Sequence, residues 1–169
     1  MTVKVSLALA NALLGSGSVK SQLDSGFIYI FAGAEPADAD ATLDMAATHT
    51  LLAKIAADAV PADAGSVGLQ FAASAANRAI TKSSSQTWAA KVHFVGKDAA
   101  QAGVAPLTAT FYRFCKSTDN GQTAGNTGTP RIQGTVGTSG ADINLTSVDL
   151  FDNNTNTVGL SAYEVRLDI

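Results

Sequence analysis

The sequence predicts an all-β fold, a jelly-roll-like antiparallel β-sandwich with a short N-terminal helix. Three observations lead to this prediction. Runs in which apolar and polar residues alternate recur along the chain, turn-forming residues separate them at short spacings, and only an early segment has helical character. The most regular stretch runs from Leu107 to Ser147, where LTATFYRFCKS and RIQGTVGTSGADINLTS flank a loop of Gly, Thr and Asn. Such spacings are typical of sandwiches and jelly rolls.

The first part of the chain carries the helical pattern. Ser6 to Leu14 contains the strong helix formers Leu and Ala, and Gly15 ends the run. Because a helix of this length is marginal in water by itself, it needs a surface to lie on. That surface is either its own sheet or a neighbouring subunit. Residues 19–23 add a further helical turn before the turn at 24–26.

The strands begin at Phe27. The segment Phe27 to Phe31 (FIYIF) is apolar on both faces, which predicts a central strand that is covered on both sides. In chain order, the other strand candidates are 48–55, 69–71, 78–81, 88–94, 107–115, 131–136, 143–145 and 163–169. No internal repeat interrupts this order. We therefore divide the chain into an N-terminal helical or arm segment, residues 1–26, and a single β-sandwich domain, residues 27–169.

The composition is low in charge. Charged residues make up only 15% of the 169 residues, against about 25% in an average soluble domain. The net charge is −3 and the Lys and Arg residues are scattered. We expect no nucleic-acid partner, because phosphate binding needs a basic face. The apolar start is too short to span a bilayer and lacks the features of an export signal, so we expect no membrane partner and synthesis in the cytoplasm.

Side chains that could do chemistry are few and do not group. Cys115 is the single cysteine, and its place in an apolar strand predicts a buried, inert thiol. His49 and His93 have no metal-like spacing. Residues 152–156 (DNNTN) match the opening of a calcium loop, but the Gly that should follow is missing and the twelfth position is Tyr163. The sequence therefore predicts no catalytic residue, no cofactor and no metal site, and the protein is expected not to be an enzyme.

Two segments have turn-rich sequences. Ala34 to Asp44 carries Pro36 and several Asp residues, and Thr118 to Pro130 is rich in Gly, Thr and Asn. Both are low in apolar residues. We predict flexible surface loops that become ordered on binding a partner.

The segments LALANALL, FIYIFAGAEPADAD, THTLLAKI, FYRFCKS and RIQGTVGTSGADINLTS resemble a family of small virion structural proteins of tailed bacteriophages. The resemblance covers most of the chain and is weakest over about 56–105. Its most specific part is the QGTVGTSGADINL hairpin, with a turn at 137–140.

The resemblance implies a capsid cement or decoration protein on the outer head surface of the virion, made in the host cytoplasm. Its implied partners are the major capsid protein and further copies of itself, as a homodimer or homotrimer. Within the same class, a tail or head–tail connector component is the alternative.

The apolar N-terminal segment is the subunit contact that we predict on this interpretation. The contact residues are Val5, Leu7, Leu9, Leu13 and Leu14. The alternative is that they pack the helix onto its own sheet.

A carbohydrate-binding β-sandwich module is a hypothesis from a different class. Trp88, Tyr29 and Tyr112 would be its stacking residues. However, Trp88 falls on the apolar face of its own strand, which favours a place in the core.

Overall fold

The computed structural model describes residues 3–15, 17–57, 67–76, 78–91, 107–126, 128–150 and 157–166. In chain order, their elements are β1 (Lys4–Val5), α1 (Leu7–Leu14), α2 (Val19–Leu23), β2 (Phe27–Ala32), β3 (Thr50–Ala57), β4 (Ala79–Thr81), β5 (Trp88–Lys91), β6 (Leu107–Thr108), β7 (Phe111–Cys115), β8 (Arg131–Gly137), β9 (Ile143–Asn144), β10 (Asp149–Leu150), β11 (Thr157–Leu160) and β12 (Glu164–Arg166).

The predicted all-β class with a short N-terminal helix is confirmed. The main sheet has the order β1-β8-β7-β2-β3-β5-β11, and β9 joins it beside β8. Two further pairs, β10–β6 and β12–β4, form small sheets. Among the described strand pairs all are antiparallel except β8–β9. The jelly-roll order of the strands stays a prediction.

The strand β2 lies between β3 and β7, and all six of its residues are buried. Alternate side chains point to opposite faces. Ile28 and Ile30 belong to the main core, whereas Phe27, Tyr29 and Phe31 belong to a second cluster on the other face. The central, doubly covered strand predicted from FIYIF is therefore confirmed.

Aromatic side chains fill the main core. Phe71 stacks on Phe114 with ring centroids 5.4 Å apart, and the Trp88 ring meets Phe114 edge to face at 5.9 Å. Tyr163 closes the cluster, and its hydroxyl lies 3.2 Å from the hydroxyl of Tyr112. Such pairs add to the stabilisation that comes from area burial alone.

The N-terminal segment belongs to the same folded unit as the sheet. In β1, Lys4 pairs with Gln133 and Val5 with Ile132 of β8. Side chains from both N-terminal helices are also fully buried in the main core, as described below for α1. The core and the main sheet thus cross the boundary that we placed after residue 26.

Two local predictions need correction. The predicted strand 107–115 is divided, because β6 pairs with β10 whereas β7 pairs with β2. The predicted hairpin at 137–140 is wrong, since β9 runs parallel to β8, with Val136 opposite Ile143. The cause is the Asp142 carboxylate, which accepts hydrogen bonds from the N–H and hydroxyl of Thr135, both at 2.8 Å. These bonds fold the connecting turn back beside β8.

Several predictions fall on undescribed residues. They are His93, the calcium-loop-like residues 152–156, and the ends of the strand candidates 88–94 and 163–169, all outside the described ranges.

Candidate interaction surface

Helix α1 is fixed to the main sheet at its N-terminus. The hydroxyl oxygen of its N-cap, Ser6, accepts hydrogen bonds from the Leu9 N–H at 3.2 Å and from the Arg131 N–H at 2.8 Å. The Ser6 N–H donates to the Arg131 carbonyl at 3.0 Å. The Asp40 carboxylate accepts from the Leu7 N–H at 2.7 Å, at the positive end of the helix dipole. The helix therefore has a fixed orientation on β8.

The two faces of α1 differ in exposure. Leu9 is fully buried, and Ala8 lies beside it in the core. Leu7 and Leu14 are seven residues apart, about two turns, so they share the opposite face. They are 62% and 87% exposed, and Leu13, between the faces, is 37% exposed. The helix buries one side and leaves an apolar side uncovered.

The five residues predicted to form a subunit contact therefore separate into two groups. Leu9 packs the helix onto its own sheet, so its assignment to an interface is wrong. The physical reason is the helical period, which places Leu9 about 200° around the axis from Leu7. The other four are exposed, as is Val3. We call these residues the N-terminal apolar set: Val3, Val5, Leu7, Leu13 and Leu14.

Helix α1 itself contains no charged residue. Its sequence is LALANALL, in which Asn11 is the one polar residue. A surface helix of a globular protein usually carries charged or polar residues along its outer face. A largely apolar outer face makes this side of α1 a candidate for contact with another surface.

An apolar groove of about 610 Å³ lies at the end of α1. Leu13 lines it together with Val19 of α2, Ile80 of β4 and Val165 of β12. Because Leu13 belongs to both, the groove continues the N-terminal apolar set toward the small β12–β4 sheet.

Two buried arginines hold the loops that cover the other face of the main sheet. The first is Arg131 at the start of β8. Its Nε and Nη2 donate to the two carboxylate oxygens of Asp119, at 2.5 and 2.8 Å. Its Nη1 donates to the carbonyls of Ala39 and Thr123, at 3.1 and 3.0 Å. The ion pair is inaccessible to solvent, with side-chain exposures of 0% and 3%.

The second is Arg113 in β7, which is also fully buried. Its Nε donates to Gln133 Oε1 at 2.9 Å. Its Nη1 donates to the carbonyls of Ala41 and Gly121, at 2.9 and 2.6 Å, and its Nη2 to the carbonyl of Asp38 at 3.3 Å. Each arginine thus contacts both turn-rich loops.

The described residues of the loops 34–44 and 118–130 are therefore held by hydrogen bonds within their own chain. The prediction that they are flexible until a partner binds is wrong. Its basis was their low apolar content, but the arginine donors supply the contacts that apolar side chains do not. The described residues of these loops form a fixed layer over the sheet.

Burial and nearby charges shift the pKa values of three groups beneath these loops, those of Asp119, Arg113 and Cys115. Burial alone would raise the pKa of Asp119, but hydrogen bonds from Arg131 and the Gly121 N–H bring that pKa below its ordinary value. Burial and the nearby charge of Arg131 lower the pKa of Arg113 to about 10. Burial, with the charge of Asp119, raises the pKa of the Cys115 thiol. The buried position of the Cys115 thiol, which the sequence predicts, is confirmed.

Sequence reasoning missed these arginines. The available signal was a charged residue inside an otherwise apolar strand, FYRFC. In the sheet Arg113 lies opposite Gln133 and Cys115 opposite Arg131, which places the two arginines on one face. A buried charge must be paired or hydrogen-bonded, so such a position predicts a polar network.

The three proposed stacking residues of a carbohydrate-binding module do not form a platform. Trp88 and Tyr112 are buried in the main core, and Tyr29 lies on the other face of the sheet, in the second cluster. The core place of Trp88 was predicted from its strand pattern and is confirmed.

Groups for catalysis or metal binding are not gathered in the described residues. No three His, Cys, Asp or Glu side chains in these ranges could hold a metal ion together. His49 Nε2 lies 3.0 Å from the Ala34 carbonyl, which gives this residue a place in a loop contact. None of the helices in the described ranges has the length and apolar character needed to cross a membrane.

No family model, curated protein or solved structure matches this chain.

Proposed function

We propose that this chain is a non-enzymatic structural protein of a phage virion, a capsid cement or decoration protein. It binds the major capsid protein on the outer head surface and acts as a homo-oligomer. The observation that carries the proposal is the N-terminal apolar set, whose exposed side chains lie on β1, the residue before it and the outer side of α1, while Leu9 fixes that helix in the core. The sequence resemblance to virion structural proteins supports the same assignment.

A cement protein works by burying area across the junctions of a shell. Each fully buried Leu or Val side chain contributes roughly 1.5–3 kcal/mol relative to an exposed one. A set of five such side chains can support a modest contact. When many copies bind one shell, linked contacts raise the overall stability well above that of a single contact.

The arginine-held loops supply the rigidity that this role requires. A surface already fixed in its bound shape loses less conformational entropy when it binds. Because Arg113 and Arg131 tie both loops to the main sheet, the body that carries the N-terminal apolar set is preorganised. The low charge of the surface also limits the cost of removing charged groups from water.

Localisation on the particle tests the proposal directly. Antibodies raised against the chain should label the heads of phage particles from cells that carry its gene, as seen by immunogold electron microscopy. Particles that lack the protein should assemble but release DNA at a lower temperature. Labelling of the tail, or of no part of the particle, would refute the cement assignment.

The contact surface has its own test. The double variant Leu7→Gln/Leu14→Gln removes apolar area from the outer face and keeps residues that favour a helix. We expect the variant to have a smaller sedimentation coefficient than the native chain. We also expect it to lose binding to phage heads from which this protein is missing. The control is Asn11→Gln, a polar exchange at an exposed position of α1. Equal association of both variants and the native chain would exclude this face.

A further inference from the structure

A second, polar cavity of about 410 Å³ lies between β2 and the loop that follows β7. Its aromatic residue is Tyr29, which is 7% exposed. Apart from Tyr29 and Asp119, all of its lining residues are Ser, Thr or Asn. Most of these Ser, Thr and Asn residues are exposed, so the cavity is a depression open to solvent whose lining can hydrogen-bond a polar, uncharged molecule.

No unpaired charge faces this cavity in the described part of the chain. Both carboxylate oxygens of Asp119 accept hydrogen bonds from Arg131, and one also accepts from the Gly121 N–H at 3.0 Å. The charge of the Asp119 carboxylate is therefore balanced by the Arg131 guanidinium. Neither an anion nor a cation would find a charge partner among the described lining residues.

Two asparagine amides are held with their donors free. Asn120 Oδ1 accepts from the Gln122 N–H at 3.0 Å, and Asn126 Oδ1 accepts from the Gly128 N–H at 2.8 Å. Because each Oδ1 already accepts from the backbone, each Nδ2 remains able to donate to a ligand, and both side chains are exposed. Neither Nδ2 has a hydrogen-bond partner among the residues that the structure describes. The Tyr29 hydroxyl has none there either.

The cavity wall is rigid. Arg131 donates to the Thr123 carbonyl and Arg113 to the Gly121 carbonyl, so the buried arginines fix the backbone between β7 and β8. Binding groups that are fixed before the ligand arrives lose little entropy on binding.

We infer that this cavity binds one ring of a neutral sugar. The Asn120 and Asn126 amides would donate to ring hydroxyl oxygens, Ser and Thr hydroxyls can accept from the ring hydroxyls, and the Tyr29 side chain offers an apolar body with a polar tip. The volume falls within the range of small-ligand sites. This inference does not depend on the proposed virion role, and it differs from the earlier stacking hypothesis because it uses neither Trp88 nor Tyr112.

The test uses the full chain labelled with ¹⁵N and the methyl glycosides of glucose, galactose, mannose and N-acetylglucosamine. We expect at least one to produce saturable shifts in the side-chain amide signals of Asn120 and Asn126, with a dissociation constant in the millimolar range. Methyl glucuronide, which adds a charge that the cavity does not pair, should bind more weakly than methyl glucoside. No saturable shift with any neutral glycoside, or tighter binding of the glucuronide, would overturn the inference.

Variants locate the site. Asn120→Asp keeps the oxygen that accepts from Gln122 but removes the donor, and Tyr29→Phe keeps the ring but removes the hydroxyl. We expect each to weaken binding about five- to tenfold, as for one lost hydrogen bond. The control is Asn144→Asp, at the end of β9, where Oδ1 also accepts from a backbone N–H. Unchanged affinity in both cavity variants would exclude this cavity even if the protein binds a sugar elsewhere.

Discussion

The ion pair of Arg131 and Asp119 is almost completely buried. Taking both charges out of water is costly, so the pair is tolerated only because the remaining donors of the guanidinium are satisfied. The carbonyls of Ala39 and Thr123 provide that satisfaction. Removing one partner would leave the other buried and uncompensated.

We therefore expect Arg131→Met to lower the free energy of unfolding by about 3–5 kcal/mol. Urea denaturation followed by circular dichroism measures this change. The matched control is Lys4→Met, which breaks the partly exposed pair with Glu35 and should cost less than about 1 kcal/mol. A similar small loss for both variants would contradict a structural role for the buried pair.

The same pair predicts how stability responds to acid. Because the pKa of Asp119 is lower in the folded chain than in the unfolded chain, its ionised form stabilises the fold above about pH 4. That contribution is lost as the pH falls through the folded-state pKa. Urea midpoints measured from pH 6 to pH 2 should fall more steeply for the native chain than for Asp119→Asn. Parallel curves would show that another group controls acid unfolding.

Single residues were predictable where the signal was local. The buried places of Trp88 and Cys115 follow from alternation within their own strands. The roles of Arg113 and Arg131 do not, because most of their acceptors are main-chain carbonyls of the two loops. Because every residue has a main-chain carbonyl, the sequence does not indicate which carbonyls accept hydrogen bonds from the arginines.

At the scale of elements, Ser6 joins the first helix to the main sheet. Its hydroxyl caps α1 and also accepts from the N–H of Arg131 in β8. A capping serine contributes about 0.5–2 kcal/mol. Removing the hydroxyl would also leave the buried N–H of Arg131 without its acceptor. An unsatisfied buried donor of this kind costs about 1–3 kcal/mol.

Ser6→Ala should therefore lower the free energy of unfolding by about 2–4 kcal/mol. Ser18→Ala is the matched control, because Ser18 caps α2 at an exposed position and should cost about 1 kcal/mol. Thermal melts of the two variants give the comparison. A loss no larger for Ser6→Ala than for Ser18→Ala would show that the contact with β8 adds nothing.

Elements were predicted best where the local pattern is strong. The helix predicted from Ser6 to Leu14 is observed as Leu7–Leu14, with Ser6 as its cap. The predicted hairpin failed because a side chain, Asp142, decides the direction of the chain after β8. Turn-forming residues at 137–140 show that the chain turns there, but not where it goes next.

For the whole molecule, the N-terminal strand β1 is joined through the main sheet to β8, which lies far along the chain. Removing residues 1–14 deletes β1, the cap Ser6 and the buried side chain of Leu9. The combined loss is roughly 5 kcal/mol or more, a large part of the 5–15 kcal/mol by which domains are usually stable. We therefore expect the N-terminal segment to supply a large part of the folding stability.

We expect the truncated chain to be unfolded or to melt far below the full chain in circular dichroism. The Leu7→Gln/Leu14→Gln variant is the control, since it alters only exposed positions and should keep the native melting temperature to within a few degrees. A truncated chain that melts like the full one would show that the sheet is complete without β1.

The pairing of β1 with β8 also has a consequence for synthesis. Lys4 must wait for Gln133 before it can enter the sheet. At about 5–20 residues per second, the ribosome needs on the order of ten seconds to deliver that partner. During this interval the nascent N-terminal run, with Leu9 not yet covered, is open to chaperones and to other nascent chains. The N-terminal segment thus depends on a strand that is translated much later.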